Sequence, residues 1–432
     1  MDTYQFSQVY RASAISFSPG STFIAAAIED HVMIRSTSSL DLIRTWHCSS
    51  SPEAPSPGSV TQRKPHTVDF LEWSSDGSRL LAFTSKGGQA WVLDLSSGEQ
   101  VAHLANGVTR VEWGGSSILA WSDRGVSWHH LPTGTSRFVQ YAQQAQKGHA
   151  WSPGHRYIAL LERHHGRCYV GVYDSQSLIR HFPVSTEASG VSWSPCGKWI
   201  AAWDWKVNYA ISFHTPAGTM AGSFKPANAI LGVSAVAWSP NGRHVIVGGY
   251  DGTVHVLESE SFYPIAALRG YEGDILGEPP TGHTTLTQFT PTTAAPHRSG
   301  VQHVGVSEDG SILFFCHDSA LHVYTLLPST GSATPDISHW STAVLLNGVK
   351  SIRPCPTTNR IAFVTGAAKL YMWDKLGVEA VKIPGDVLAV DVHWAPDGHT
   401  ASVSDRRLFC LVYEEGADES TNMEGEGWEE LD

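Results

Sequence analysis

The sequence predicts an all-β protein assembled from one repeated unit, and three observations carry that prediction. A strand-and-turn signature recurs nine times, a second strand of alternating pattern follows each copy, and the composition suits strands and turns. Charged residues make up 16% of the chain, against about 25% in ordinary soluble domains, while aromatics reach 10% and Gly is 40 of 432. Coiled coil and global disorder are poor readings of such a chain.

Each unit opens on a strand ending in an aromatic or apolar residue, then Ser-Pro or a relative, then a Gly or polar turn. The openings are F-S-P-G-S at Phe17, W-S-S-D-G at Trp73, W-S-P-G-H at Trp151, W-S-P-C-G at Trp193, W-S-P-N-G at Trp238, V-S-E-D-G at Val306 and W-A-P-D-G at Trp394. Two weaker copies lie at Glu112 to Ser116 and Arg353 to Asn359. Between them fall strands such as V-M-I-R-S from Val32, W-V-L-D-L from Trp91, V-G-V-Y-D from Val170, V-H-V-L-E from Val254 and L-Y-M-W-D from Leu370. Strand, Pro/Gly turn, strand, Asp/Gly turn, strand describes an antiparallel meander, with Pro placed where it fixes φ and need not donate to a ladder.

The openings are spaced by 56, 40, 38, 42, 45, 68, 47 and 41 residues. A period of about 40–45 is that of the four-stranded blade of a WD-repeat β-propeller. A lone meander leaves its edges unpaired and one face bare, so such blades stack around an axis. The last unit stops after Tyr413, one strand short, while Tyr4 to Tyr10 precedes the first opening without a blade of its own. The expectation is one closed ring over residues 1–413, nine units counted, with the N-terminal strand completing the last blade. Seven or eight blades plus an atypical unit is the alternative, since nine exceeds the usual limit of about eight.

Two spacings are long. Residues 47–66 are Ser/Pro-rich and read as a solvated excursion, and residues 270–300 form a second long loop for which composition favours disorder over function. Residues 414–432 read as an acidic, solvated tail, with nine Asp or Glu and no Lys or Arg. Within it Trp428 is a candidate docking residue, because an isolated indole gains nothing from exposure.

Net charge is −12, and setting aside the nine acids of the tail leaves −3 on the rest. A nearly neutral body without a basic run offers no footprint for a phosphate backbone, so nucleic acid is not the expected partner. The apolar run from Phe23 to Ile28 is far short of the about 20 residues that span a bilayer, and residues 1–20 lack a basic start followed by an apolar stretch. A cytosolic or nuclear chain without a membrane partner is expected. Its six cysteines are scattered singly and read as reduced, mostly packed thiols.

Direct motifs for nucleotide binding, acyl transfer and metal hydrolysis are absent. Among 22 histidines, His129–His130 sits on a strand whose neighbours point to opposite faces and His164–His165 sits in a turn. Neither pair offers one-face spacing, so no metal, cofactor or catalytic residue is expected. Asp30, Asp123, Asp251, Asp318 and Asp405 recur in one turn and read as turn chemistry, while Trp73, Trp113, Trp151, Trp193, Trp238 and Trp394 read as blade packing.

One constellation survives as a candidate protein-binding surface. The turns E-R-H-H-G-R (Glu162 to Arg167), W-D-W-K-V-N-Y (Trp203 to Tyr209) and Y-D-G (Tyr250 to Gly252) occupy one place in three adjacent units. Arg163, Trp203, Asp204, Trp205, Tyr209 and Tyr250 are its candidate contact residues, because aromatic and Arg side chains on a loop face make binding hot spots. Packing between blades is the competing reading for Trp203 and Trp205.

The same stretches carry a family resemblance. L-L-E-R-H-H from Leu160, W-S-P-C-G-K-W-I-A-A-W-D (Trp193 to Asp204), L-G-V-S-A-V-A-W-S-P-N-G with V-G-G-Y-D-G-T-V-H-V-L (Leu231 to Leu257), K-L-Y-M-W from Lys369 and V-H-W-A-P-D-G from Val392 resemble the centrosomal WD-repeat family known as WD repeat-containing protein eight. The resemblance runs from Phe6 to about Tyr413 and is strongest over 157–257. It implies a scaffold at the centrosome or spindle pole body, within the cytoplasmic cytoskeleton, that anchors microtubule minus ends and supports the mitotic spindle. A coiled-coil microtubule-anchoring protein and a minus-end-directed kinesin are the partners it implies, with gamma-tubulin-associated proteins beside them. The 270–300 loop and the acidic tail lie outside it. The competing classes are a propeller enzyme with its active site in an axial channel, and a translation-factor-like propeller on the ribosome.

Overall fold

The computed structural model describes residues 4–48, 67–104, 107–143, 148–174, 177–185, 187–204, 208–227, 231–269, 275–277, 287–289, 300–317, 319–327, 335–345 and 347–414. Strand follows strand throughout, and among the described residues the helical content is two short 3₁₀ turns, Pro153–His155 and Pro384–Asp386. Among the described residues nine sheets succeed one another as antiparallel meanders, numbered here as blades in chain order. Blades 1 to 8 take residues 14–47, 70–104, 110–140, 149–183, 188–224, 233–268, 301–344 and 351–382, and blade 9 takes 391–414. The chain is therefore all-β with nine propeller blades, as its period predicts.

Blade 9 is completed by the N-terminal segment. Tyr4–Phe6 pairs antiparallel with Leu408–Glu414 through Tyr4↔Glu414, Gln5↔Tyr413 and Phe6↔Val412, and Tyr10–Arg11 continues the pairing at Phe409 and Leu408. The Ser7 hydroxyl accepts from the Leu411 amide at 2.9 Å, and the Tyr10 ring lies 5.5 Å from that of Phe409.

Two compact units divide the chain, one of residues 1–138, 384–388 and 393–432, the other of 139–383 and 389–392. In the first, Tyr10, Ile24, Phe409 and Leu411 pack blade 9 on blade 1, Ile34, Trp46, Trp73 and Trp91 pack blade 1 on blade 2, and Phe83, Val92, Val111 and Ile118 pack blade 2 on blade 3. In the second, four such cores join blades 4 to 8 in sequence, among them Phe182 with Trp193 and Phe315 with Val256. Alternating side chains supply this arrangement within each unit, because a strand whose two faces are both apolar can pack on a blade at either side.

The repeated opening has a physical cause beyond its turn. In six openings, four Ser-Pro and two with Ser or Glu in place of Pro, the Ser is buried and its hydroxyl accepts the amide five residues on: Phe23 to Ser18 at 3.0 Å, Arg79 to Ser74, Tyr157 to Ser152, Trp199 to Ser194 and His244 to Ser239 at 2.9 Å, Ile312 to Ser307 at 3.0 Å. A short hydroxyl thus staples the start of the second strand to the end of the first, satisfying an amide the ladder leaves free. The preceding Trp latches blades together. Trp73 Nε1 donates to Ser16 O at 3.1 Å, Trp113 Nε1 to Glu72 O at 3.0 Å and Trp238 Nε1 to Ser192 Oγ at 3.2 Å, each acceptor lying in the preceding blade.

Two boundaries move from their sequence positions. The first excursion begins later than residue 47, because His47 ends the strand Leu42–His47 and Cys48 is buried; residues 49–66 lie outside the described residues. The second holds two short strands, Ile275–Gly277 and Thr287–Phe289, which widen blade 7 to six strands. Ile275–Gly277 runs parallel to Asp336–Val344, with Leu276 opposite Ala343. That part of 270–300 is ordered sheet edge, a correction to the disorder expected there. Residues 415–432, Trp428 included, lie outside the described residues. The six cysteines form no disulfide with one another, and all are buried except Cys196.

Candidate functional site

The three turns singled out in the sequence fall between the second and third strands of blades 4, 5 and 6, all within the second unit. Their side chains separate sharply. Arg163 is exposed at the end of Tyr157–His164, followed by exposed His165 and Arg167, so this turn presents cationic and imidazole groups to solvent. Tyr250 is half-buried, its amide donating to Gly232 O at 3.0 Å, beside the exposed Asp251, whose carboxylate accepts the Thr253 amide.

Trp203 and Tyr209 are buried, not displayed on the turn surface. They are 4% and 1% exposed and pack with Phe213, Phe224, Val233 and Val247 between blades 5 and 6. Trp203 is the penultimate residue of Ile200–Asp204, a strand buried on both faces, and its indole lies over Gly190 of the neighbouring strand, where a Cβ would collide with it. The Tyr209 hydroxyl reaches Val247 O at 3.5 Å, and burial drives its pKa well above the ordinary phenol value. Asp204 is likewise buried, at 1% exposure, with Oδ2 accepting from Ser185 Oγ and Asn208 Nδ2 at 2.8 Å each. Lys225 Nζ donates to Asn208 Oδ1 at 3.0 Å, so this carboxylate pins the loop ends. Trp205 lies outside the described residues.

The recurrent Asp residues divide too. Asp405 accepts the amides of Arg407 and Leu408 at 2.8 and 2.7 Å, and Asp251 behaves alike, as turn chemistry predicts. Asp30 instead faces two imidazoles, His31 Nδ1 at 2.8 Å and His47 Nε2 at 2.9 Å. Asp318 lies outside the described residues.

A second titratable cluster sits on one face of blade 4. Glu162 and His164 are two apart on one strand and so share a face; Tyr169, Gly171 and Tyr173 on the next strand and His181 on the outer one are placed on it by register. Glu162 Oε2 lies 2.7 Å from His164 Nε2 and 3.4 Å from His181 Nε2, while Oε1 accepts the Tyr173 hydroxyl at 2.6 Å. The sequence signal for this cluster is Glu162-x-His164, two positions on one strand face, whereas His181 joins only through strand pairing.

Comparison with known proteins gives the same architecture. The family model "WD domain, G-beta repeat" matches residues 221–257. The chain is 24% identical over 465 residues to the mouse WD repeat-containing protein WRAP73, covering 94% of this chain and 95% of that protein. Both matches support a WD-repeat family. An uncharacterised WD repeat-containing protein of Schizosaccharomyces pombe is 23% identical over 188 residues, 40% of this chain and 39% of its own. Among solved structures, the C-terminal WD40 domain of Sif2 aligns with a TM-score of 0.53 at 12% identity, over 94% of this chain and 98% of that one. The Dos1 propeller aligns with a TM-score of 0.53 at 10% identity, over 95% of each chain. At these identities the likeness is one of fold. No relative's name here carries an enzymatic activity, and WD40 propellers generally serve as scaffolds. Among the described residues no helix is long and apolar enough to cross a membrane.

Proposed function

We propose that this WD-repeat chain is a non-catalytic protein-interaction scaffold at the centrosome or spindle pole body. There it anchors microtubule minus ends together with a coiled-coil partner and a minus-end-directed kinesin. The observation that carries the scaffold reading is the end-to-end match to a mouse WD-repeat protein, joined to a site whose buried carboxylate, Asp204, holds a loop in place. The spindle-pole reading rests on the family resemblance of residues 157–257. The exposed turns at Arg163 and Tyr250 are the docking residues it retains, since an Arg and an aromatic at a turn give a partner anchor points a rigid sheet can hold still.

Affinity capture of the tagged full chain from mitotic cells, read by mass spectrometry, tests this. Recovery of a spindle-pole coiled-coil protein and a kinesin supports the reading. Recovery of ribosomal subunits, or of neither partner, contradicts it.

A further inference from the structure

We propose that Glu162, His164 and His181 form a three-ligand site for a divalent transition-metal ion, zinc by its donor set, with a fourth position open. The proposal rests on blade 4 alone and is independent of the scaffold reading.

The three donor atoms lie within 4.8 Å of one another. Two imidazole nitrogens converge on the same carboxylate oxygen, at 2.7 Å and 3.4 Å. The first is a hydrogen bond. The second exceeds good hydrogen-bond length and matches the about 3.3 Å that separates two ligands of a tetrahedral ion with bonds near 2.0 Å. Opening the shorter contact by about half an ångström, a small rotation of either side chain, completes that geometry. Two His and one carboxylate with a vacant fourth place is a recurrent zinc set.

The surroundings hold these groups in place. The Glu162 side chain is 5% exposed, those of His164 and His181 29% and 33%. Among the described residues the partners of Glu162 are Tyr173, His164 and His181, so no Lys or Arg offsets its buried charge. A buried carboxylate needs a cation, and a metal ion held by two neutral imidazoles supplies one. The Tyr173 hydroxyl, itself 5% exposed as a residue, fixes the carboxylate from behind in the manner of an outer-shell partner. Gly171 makes room, because a Cβ there would collide with Glu162 Oε1. The His181 ring is stacked on Tyr169 with centroids 4.6 Å apart and planes at 13°, and the His164 ring lies 4.7 Å from that of Tyr141.

The cluster at Asp30, His31 and His47 lacks this framing. Its imidazole side chains are 43% and 53% exposed, and each is already within 2.9 Å of its own carboxylate oxygen. It serves as the internal control.

The test uses the purified full chain, stripped with a chelator and titrated with Zn²⁺ alone by calorimetry, then with Co²⁺ by visible absorption. One equivalent of zinc should bind, Co²⁺ should give the intense bands of a four-coordinate site, and His164→Gln with His181→Gln should abolish both. Tyr173→Phe should weaken zinc binding by roughly tenfold to a hundredfold. Asp30→Asn with His47→Gln should leave that equivalent intact. Equal binding by wild type and the blade 4 double variant overturns the proposal, as does absence of zinc binding by the wild type. Should the double variant not fold, His181→Gln alone decides: loss of the cobalt bands supports the site and their retention contradicts it.

Discussion

The Ser-Pro openings acquire a second meaning at the level of single residues. Pro and Gly mark the turn, but the Ser is what a substitution would reveal, because its hydroxyl is the acceptor for a buried strand amide. Ser194→Ala is expected to lower stability by about 1–2 kcal/mol, read as a shift of the urea midpoint, since the Trp199 amide is then left without its partner. Buried imidazoles set the acid limb. His322 is held down to about 3 by burial, with His317 and His339 adding to the shift, and its Nδ1 lies 2.9 Å from Thr342 Oγ1. Burial also lowers His103, His129, His214, His244, His255 and His339. Between about 3 and 6.5 the unfolded chain binds more protons at His322 than the folded one. Stability therefore falls as pH drops below about 6.5, with His322 contributing up to about 1.4 kcal/mol per pH unit and the other lowered histidines acting in the same direction. Thermal midpoints recorded from pH 7 to pH 4 should decline steadily, and His322→Gln should make the decline shallower.

Blades were legible because their signals repeat, and individual side-chain orientations were not. The missing last strand could be read from a count: Tyr413 ends a unit early and Tyr4 to Tyr10 has no unit of its own. Deleting residues 1–11 should expose the Leu408–Glu414 edge, so the Leu411 amide, protected in the intact chain by Ser7, should exchange rapidly with deuterium. The strands at Ile275–Gly277 and Thr287–Phe289 are not legible in the sequence because three residues carry no readable alternation; they pair with each other, and Ile275–Gly277 also pairs with the distant Asp336–Val344. For Trp203 the structure favours the packing alternative: Ile200–Asp204 is buried on both faces, and Gly190 opposite it is the clue in the sequence. Tyr209 at a rim turn is buried with it, which position in a turn does not reveal. The blade 4 cluster needed register across three strands, which spacing along one strand does not supply.

On the scale of the whole chain, repetition accounts for the blades, and function rests on what the blades leave outside. Buried Trp and Ser residues hold neighbouring strands and blades together, so the proposed docking role is assigned to turn residues such as Arg163 and Tyr250. Replacing these two should weaken partner capture while the thermal midpoint stays nearly unchanged, because Arg163 is exposed and Tyr250 half-buried at a turn. Replacing Trp203 should do the reverse and cost about 3–5 kcal/mol of stability. The most direct trial of the scaffold reading is live imaging of the fluorescently tagged full chain through mitosis, beside Arg163→Glu with Tyr250→Ala. Discrete signal at both spindle poles, lost in the folded double variant, is the expected result. Uniform cytoplasmic signal from the wild type would contradict the account.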